Sequence, residues 1–97
     1  MQRVNRAIDL LEQRGPALTR PLADTIRGSR HPNMKELRPS GGYLRIFFAF
    51  DPRRTAILLI GGDKRHRWTE FYDDLIPIVD DLYDVHLQTL REEGELP

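Results

Sequence analysis

The sequence predicts an α+β fold: an antiparallel sheet of three to four strands packed with an N-terminal and a C-terminal helix. Three observations carry this. Apolar residues recur at helical spacing before Gly15 and again after Trp68. Between those stretches lie runs rich in β-favouring residues, above all Tyr43-Leu44-Arg45-Ile46-Phe47-Phe48-Ala49-Phe50. Finally, Pro39-Ser40-Gly41-Gly42 and Asp51-Pro52-Arg53-Arg54 punctuate those runs as hairpin turns. The 97 residues suit one domain, 1–97, with a modest core.

Val4, Ala7, Ile8 and Leu11, with Leu10 beside them, predict a helix over 3–14 that Gly15-Pro16 ends. From Gly15 to Asn33 the chain is turn-rich, and only Leu22 to Ile26 can form a short ordered piece. Met34 to Arg38 is the first clear strand, followed by a hairpin loop over 39–42. Along Tyr43–Phe50, alternation places Leu44, Ile46, Phe48 and Phe50 on a core face and Tyr43, Arg45, Phe47 and Ala49 on the other. Asp51-Pro52-Arg53-Arg54 reads as a type I turn, and Thr55 to Ile60 as a strand broken by Gly61-Gly62. In the tail, Trp68, Tyr72, Leu75, Val79, Leu82, His86 and Leu90 make a helical stripe. Glu70, Asp73, Asp74, Asp81 and Asp84 fall mostly on the opposite flank. Pro77 interrupts this pattern, so one bent helix ending near Gly94 is expected.

The formal charge of zero conceals a split. Residues 1–26 hold four Arg against three acids (+1), 27–67 hold ten basic side chains against three acids (+7), and 68–97 hold Arg91 against nine carboxylates (−8). A polyanion meets the basic middle first, because local field governs encounter. There is no apolar run of membrane-spanning length and no secretory h-region, so a cytoplasmic protein is expected. Cysteine is absent, and no His or carboxylate pair has metal-site spacing, so neither a metal nor any other cofactor is expected.

If the hairpin loop is 39–42, Arg38 faces Tyr43 and Glu36 faces Arg45 on the sheet face away from the apolar one. That face is either a phosphate-binding floor, with Glu36 holding Arg45, or an ordinary cross-strand ion pair. Lys64-Arg65-His66-Arg67 follows the last strand and can gather phosphates, His66 being able to exchange a proton near neutral pH. The alternative is a solvated basic loop. Arg53-Arg54 is at most a peripheral phosphate contact, and Lys35 is a further candidate RNA contact. His31 and His86 read as structural, Asp73-Asp74 and Asp80-Asp81 as a solvated helix flank, and Trp68, Phe71 and Tyr72 as core anchors.

Lys35-Glu36-Leu37-Arg38-Pro39, Arg45 to Pro52, and Ile57-Leu58-Leu59-Ile60-Gly61-Gly62-Asp63-Lys64 resemble the phage-derived HigB-like toxins of the RelE superfamily. Gly15-Pro16, Arg20-Pro21-Leu22, Gly28-Ser29-Arg30-His31, Trp68, Tyr72, Ile76-Pro77 and Asp80 fit the same pattern, so the resemblance covers about residues 4–90. It implies the toxin of a bacterial type II toxin–antitoxin system, cutting mRNA on the ribosome and neutralised by a cognate helix-turn-helix antitoxin. The implied chemistry is attack of a ribose 2′-hydroxyl on the adjacent phosphate. By this resemblance Arg38 and Arg45 stabilise the phosphorane and Lys64 adds charge, while roles for Arg65, His66 and Arg67 rest on chemistry alone. Tyr43, Arg53 and Arg54 are expected to touch RNA. The superfamily's usual first strand–helix unit is missing ahead of the 3–14 helix, and Phe71 stands where Trp is commoner. An edge strand exposed by that loss would favour an oligomer. A non-catalytic homologue that binds antitoxin or RNA is the alternative function.

Overall fold

The computed structural model describes residues 2–40, 42–65 and 68–96, with the backbone alone at Trp68. Helix α1 (Gln2–Arg14) is followed by a 3-10 turn at Gly15–Ala17, and Gly15, at φ 54, adopts the left-handed backbone that releases the chain. Strands β1 (Ala23–Thr25), β2 (Lys35–Leu37), β3 (Leu44–Phe50) and β4 (Ala56–Asp63) form an antiparallel meander in the order β1-β2-β3-β4. Helix α2 (Trp68–Glu92) closes the chain and runs through Pro77 as one element. The ordered piece expected at Leu22–Ile26 is thus the fourth strand. Among the described residues, no helix is long and apolar enough to cross a membrane.

Both sheet faces carry core, and here the sequence expectation needs correction. Phe48 and Leu37 pack with Ala7 and Leu11 of α1, and Ile46 and Phe50 lie partly buried against them. Phe47 and Ala49, expected on the open face, are fully buried with Phe71, Val79 and Tyr83 of α2. Alternation separates two faces but does not say that one is wet; a helix on each side makes both apolar. The β2–β3 register also differs: Glu36 faces Phe47 rather than Arg45, so Arg38–Tyr43 and Glu36–Arg45 are not directly opposed, although Arg45 still reaches Glu36 as an ion pair. A shift of two residues preserves the face, so Glu36, Arg38 and Arg45 still lie on one side.

Strand β4 does not stop at Gly61-Gly62 but continues through them to Asp63. Gly62 lies opposite Arg45, and a Cβ there would come within 2.9 Å of the Phe71 ring. The glycine is therefore a contact surface for α2, and no other residue allows the helix so close. The irregularity between Phe47 and Phe48 leaves Leu59 extra on β4.

The inner stripe of α2 is Phe71, Ile76, Val79, Tyr83 and Leu90, flanked by half-buried Tyr72, Leu75 and Leu87. Leu82, expected in that stripe, is 40% exposed, and Asp80, expected on the solvated flank, is 2% exposed. Asp80 is buried because it holds the 27–34 loop: Ser29 Oγ donates to it, and the Arg30 amide donates at 2.8 Å. Arg30 also pairs with Asp81 and Asp84, and His31 Nε2 lies 2.8 Å from Asp84. The helix ends in a Schellman arrangement, with Gly94 at φ 73, Gly94 N–H on Arg91 O and Glu95 N–H on Leu90 O.

The β3–β4 turn is organised by Asp51, whose carboxylate accepts from the Arg53 and Thr55 amides, from the Arg53 guanidinium at 2.9 Å and from His86 at 3.0 Å. Arg54 takes the left-handed position at φ 66, as such a turn requires. Burial would push the Asp51 carboxyl up, but the bonds from His86, Arg53 and the two amides hold it at about 2. A carboxyl lowered from 3.8 contributes stability above about pH 4 that drains as pH falls toward 2, about 2 kcal/mol in all. Urea titrations from pH 5 to pH 2 should show that loss, and Asp51→Asn should flatten it while lowering stability at pH 7. In the same assay Gly62→Ala should cost about 1–3 kcal/mol through overpacking against Phe71. Gly42→Ala, with only an ordinary 3.9 Å neighbour, should fall within about 0.5 kcal/mol of the parent.

Candidate nucleic-acid interface

At the loop end of the β2–β3 hairpin the basic and acidic segments meet. Glu36, in the middle of β2, is almost fully buried on the α2 side of the sheet. A carboxylate in that position needs charge and hydrogen bonds to offset its desolvation. Tyr72, brought over the sheet by the contact of its neighbour Phe71 with Gly62, donates its hydroxyl to Glu36 Oε1 at 2.7 Å. Lys64, the first residue past β4, donates to the Tyr72 oxygen at 3.3 Å and sits 5.3 Å from the ring centroid. Arg45 Nε is 3.3 Å from Glu36 Oε1, and an Arg38 terminal nitrogen is 3.3 Å from both Glu36 Oε2 and Asp24 Oδ2.

Three cations thus surround one buried carboxylate, with Asp24 at the rim, where Arg20 Nε binds it at 2.9 Å. The guanidinium donors are not all used. The Nε atoms of Arg38 and Arg45 are buried without a hydrogen bond; for Arg45 the approach to Glu36 is close enough for an ion pair but not aligned for a bond. Arg45 instead directs a terminal nitrogen to the carbonyls of Leu44, at 2.8 Å, and Gly42, at 3.3 Å. Beside this cluster lies a hollow of about 270 Å³ lined by Arg38, Pro39, Ser40, Gly42 and Arg45.

The cluster's electrostatics follow from this crowding. Burial, and then the cations of Arg45 and Arg38, push Lys64 below the ordinary lysine range, against the pull of Glu36. Burial and the hydrogen bond to Glu36 push Tyr72 up to about 12, so it stays a neutral phenol at physiological pH. Burial would raise Asp24, but the bonds from Arg20 and the Thr25 amide, with the charge of Arg38, lower it.

The structure therefore brings together Arg38, Arg45 and Lys64 of the expected residues and sets others apart. Lys35 alternates with Glu36, so it lies on the α1 side of the sheet, where Nζ donates to Thr25 at 3.1 Å. Tyr43 is exposed, with the Arg65 guanidinium 5.5 Å from its ring, and joins the cluster only through its carbonyl, which accepts from the Lys64 amide. Arg65 also pairs with Asp63 at 3.1 Å. Arg53 and Arg54 sit at the far end of β3, roughly 20 Å along the strand from Arg45. Arg53 there is tied to Asp51 and, at 2.7 Å, to Glu95, which fixes the turn to the end of α2. His66 and Arg67 lie outside the described residues. Sequence reasoning missed Tyr72 and Asp24. A tyrosine on a core stripe was itself a signal, since a buried phenol seeks a polar partner. Among the described residues, no three His, Cys, Asp or Glu side chains converge as metal ligands.

Fold and cluster define a small α+β domain with a concentrated cationic hollow at one end of its sheet. Residues 1–84 match the family described as "Phage derived protein Gp49-like (DUF891)", and the chain belongs to that family. Two Mycobacterium tuberculosis relatives are close. One, named "Putative toxin HigB2", is 55% identical over 89 residues, covering 89% of this chain and 44% of the relative. The other, named "Putative toxin HigB3", is 58% identical over 80 residues, covering 82% of this chain and 70% of the relative. The chain thus spans less than half of the first relative's length. No solved structure gives a significant match.

Glu36→Gln tests the role of the central carboxylate. Leaving the Arg45 and Lys64 charges without it should cost about 3 kcal/mol in urea unfolding. It should also lower the Lys64 titration further, read from its ¹⁵Nζ signal, because the raising charge of Glu36 is gone.

Proposed function

We propose that this chain acts as the toxin of a type II toxin–antitoxin pair, a metal-independent, ribosome-dependent mRNA endoribonuclease of the cytoplasm held in check by a helix-turn-helix antitoxin. The observation that carries the reading is the convergence of Arg38, Arg45 and Lys64 around Glu36 and Tyr72, with Arg38 and Arg45 lining an open hollow. The toxin names of the two mycobacterial relatives support it. Phosphodiester cleavage by the neighbouring 2′-hydroxyl builds negative charge on the phosphorane, and preorganised cations aimed at that charge supply most of the acceleration.

In this reading Arg38 and Arg45 bind the scissile phosphate through guanidinium nitrogens, the phosphorane competing with Glu36 for them. The 2′-oxygen bonds to phosphorus as its proton passes to His66, and the bond from phosphorus to the 5′-oxygen breaks. Lys64, whose lowered pKa makes it a better acid than a free lysine, protonates the leaving oxygen. The products are a 2′,3′-cyclic phosphate and a 5′-hydroxyl. Tyr72 and Glu36 position the cations.

A second reading has its own observation. Glu36 and Asp24 already face Arg38 and Arg45, as they would in a binding module that never cleaves. Primer extension on ribosome-bound mRNA separates the two, since cleavage alone leaves new 5′ ends. Arg38→Ala, and Arg45→Lys, which keeps the charge beside Glu36 but loses the planar fork, should each lower cleavage by about 100-fold and relieve growth arrest. Both should remain folded by urea titration. Retained toxicity in both would remove this site assignment.

A further inference from the structure

Resting on the reading of the hollow as an RNA site, we infer that a groove along α1 carries the sugar–phosphate backbone flanking the scissile phosphate. Arg3, Arg6, Leu10 and Arg14 fall on one stripe of α1, at spacings of three and four residues. All three arginines are exposed. Arg14 lies eleven positions past Arg3, about 16 Å of helix.

Two hollows run along this stripe. One, of about 440 Å³, lies between the first turns of α1 and Ser40; the next, of about 350 Å³, lies between the arginine stripe and Pro21, Leu22 and Ser40. Ser40 lines both and also lines the hollow holding Arg38 and Arg45, while Pro21 and Leu22 line the last two. The three are therefore successive stations of one groove. Their described walls carry five arginines and a single carboxylate, Asp9, at the outer end.

Arg6 and Arg14 differ from the six arginines that the fold pairs with carboxylates. Arg20, Arg30, Arg38, Arg45, Arg53 and Arg65 all face carboxylates. Arg6 and Arg14 make no ion pair among the described residues. Long cationic side chains left to water beside a groove, leading to a cluster suited to phosphate, fit a ligand with regularly repeated negative charge. A single RNA strand has that pattern; an acidic peptide from a partner protein is the competing occupant.

The test uses the full chain and a single-stranded RNA oligonucleotide with 2′-O-methyl riboses, which binds without being cut. Affinity is measured by fluorescence anisotropy across a salt series. The R3A/R6A/R14A variant should keep its fold, since alanine favours helix. Losing three phosphate contacts should reduce the salt slope by about 2 and weaken binding about 50-fold at physiological salt. The R3K/R6K/R14K variant should restore most of the slope. An alanine variant that binds with the parent's affinity and slope overturns the groove, whatever R38A does to cleavage. Unchanged RNA binding with lost antitoxin binding overturns it in favour of the peptide. A parent chain that binds the oligonucleotide through these arginines, yet leaves no new 5′ ends on mRNA, keeps the groove and sinks the nuclease reading.

Discussion

One buried carboxylate organises the cationic end of this molecule. Glu36 lies on the central part of the sheet, beneath α2, and receives the Tyr72 hydroxyl together with the charges of Arg38 and Arg45. Lys64 joins through Tyr72. Three like charges held this close repel one another, and only a shared counter-ion makes their assembly affordable. The same carboxylate that stabilises the cluster also sets its electrostatic level, because a phosphate entering the hollow has to compete with it. Structure and proposed chemistry are thus coupled through a single side chain.

The position of α2 decides whether that cluster exists. Gly62 allows Phe71 against the sheet, and Tyr72 follows as the next residue. Farther along, Asp80 and Asp84 hold the 27–34 loop, and Asp51 and Glu95 bind Arg53 at the opposite end. Much of the acidic tail is therefore spent on tertiary contacts with the basic middle. Asp80 is buried by them, whereas Asp73, Asp81 and the end of α2 stay at the surface. The charge split works inside the fold as well as toward outside partners.

Much of this was legible before any coordinates. Helix α1 is found within a residue of its expected limits, because Gly15-Pro16 is a strong stop. The Asp51 turn formed where Asp-Pro placed it, and Gly94 closed α2. The same-face grouping of Glu36, Arg38 and Arg45 survived a register error of two residues, since side-chain period in a strand is itself two. The errors share one cause. The state of Phe47, Asp80, Gly62 and Leu82 depends on how α2 packs against the sheet and the 27–34 loop, not on their neighbours in sequence.

Periodicity, turn chemistry and the charge blocks determined the elements, their order and the basic middle, because each depends on residues a few positions apart. Only the tertiary structure decided that both sheet faces carry core, that Tyr72 belongs to the cationic cluster and that Lys35, Arg53 and Arg54 do not. It also decided that the α1 arginines share a groove with Arg38 and Arg45. Those outcomes hinge on distances between segments far apart in sequence, 36 positions from Glu36 to Tyr72 and 42 from Arg53 to Glu95. They are set by close packing across the sheet, which no local pattern encodes.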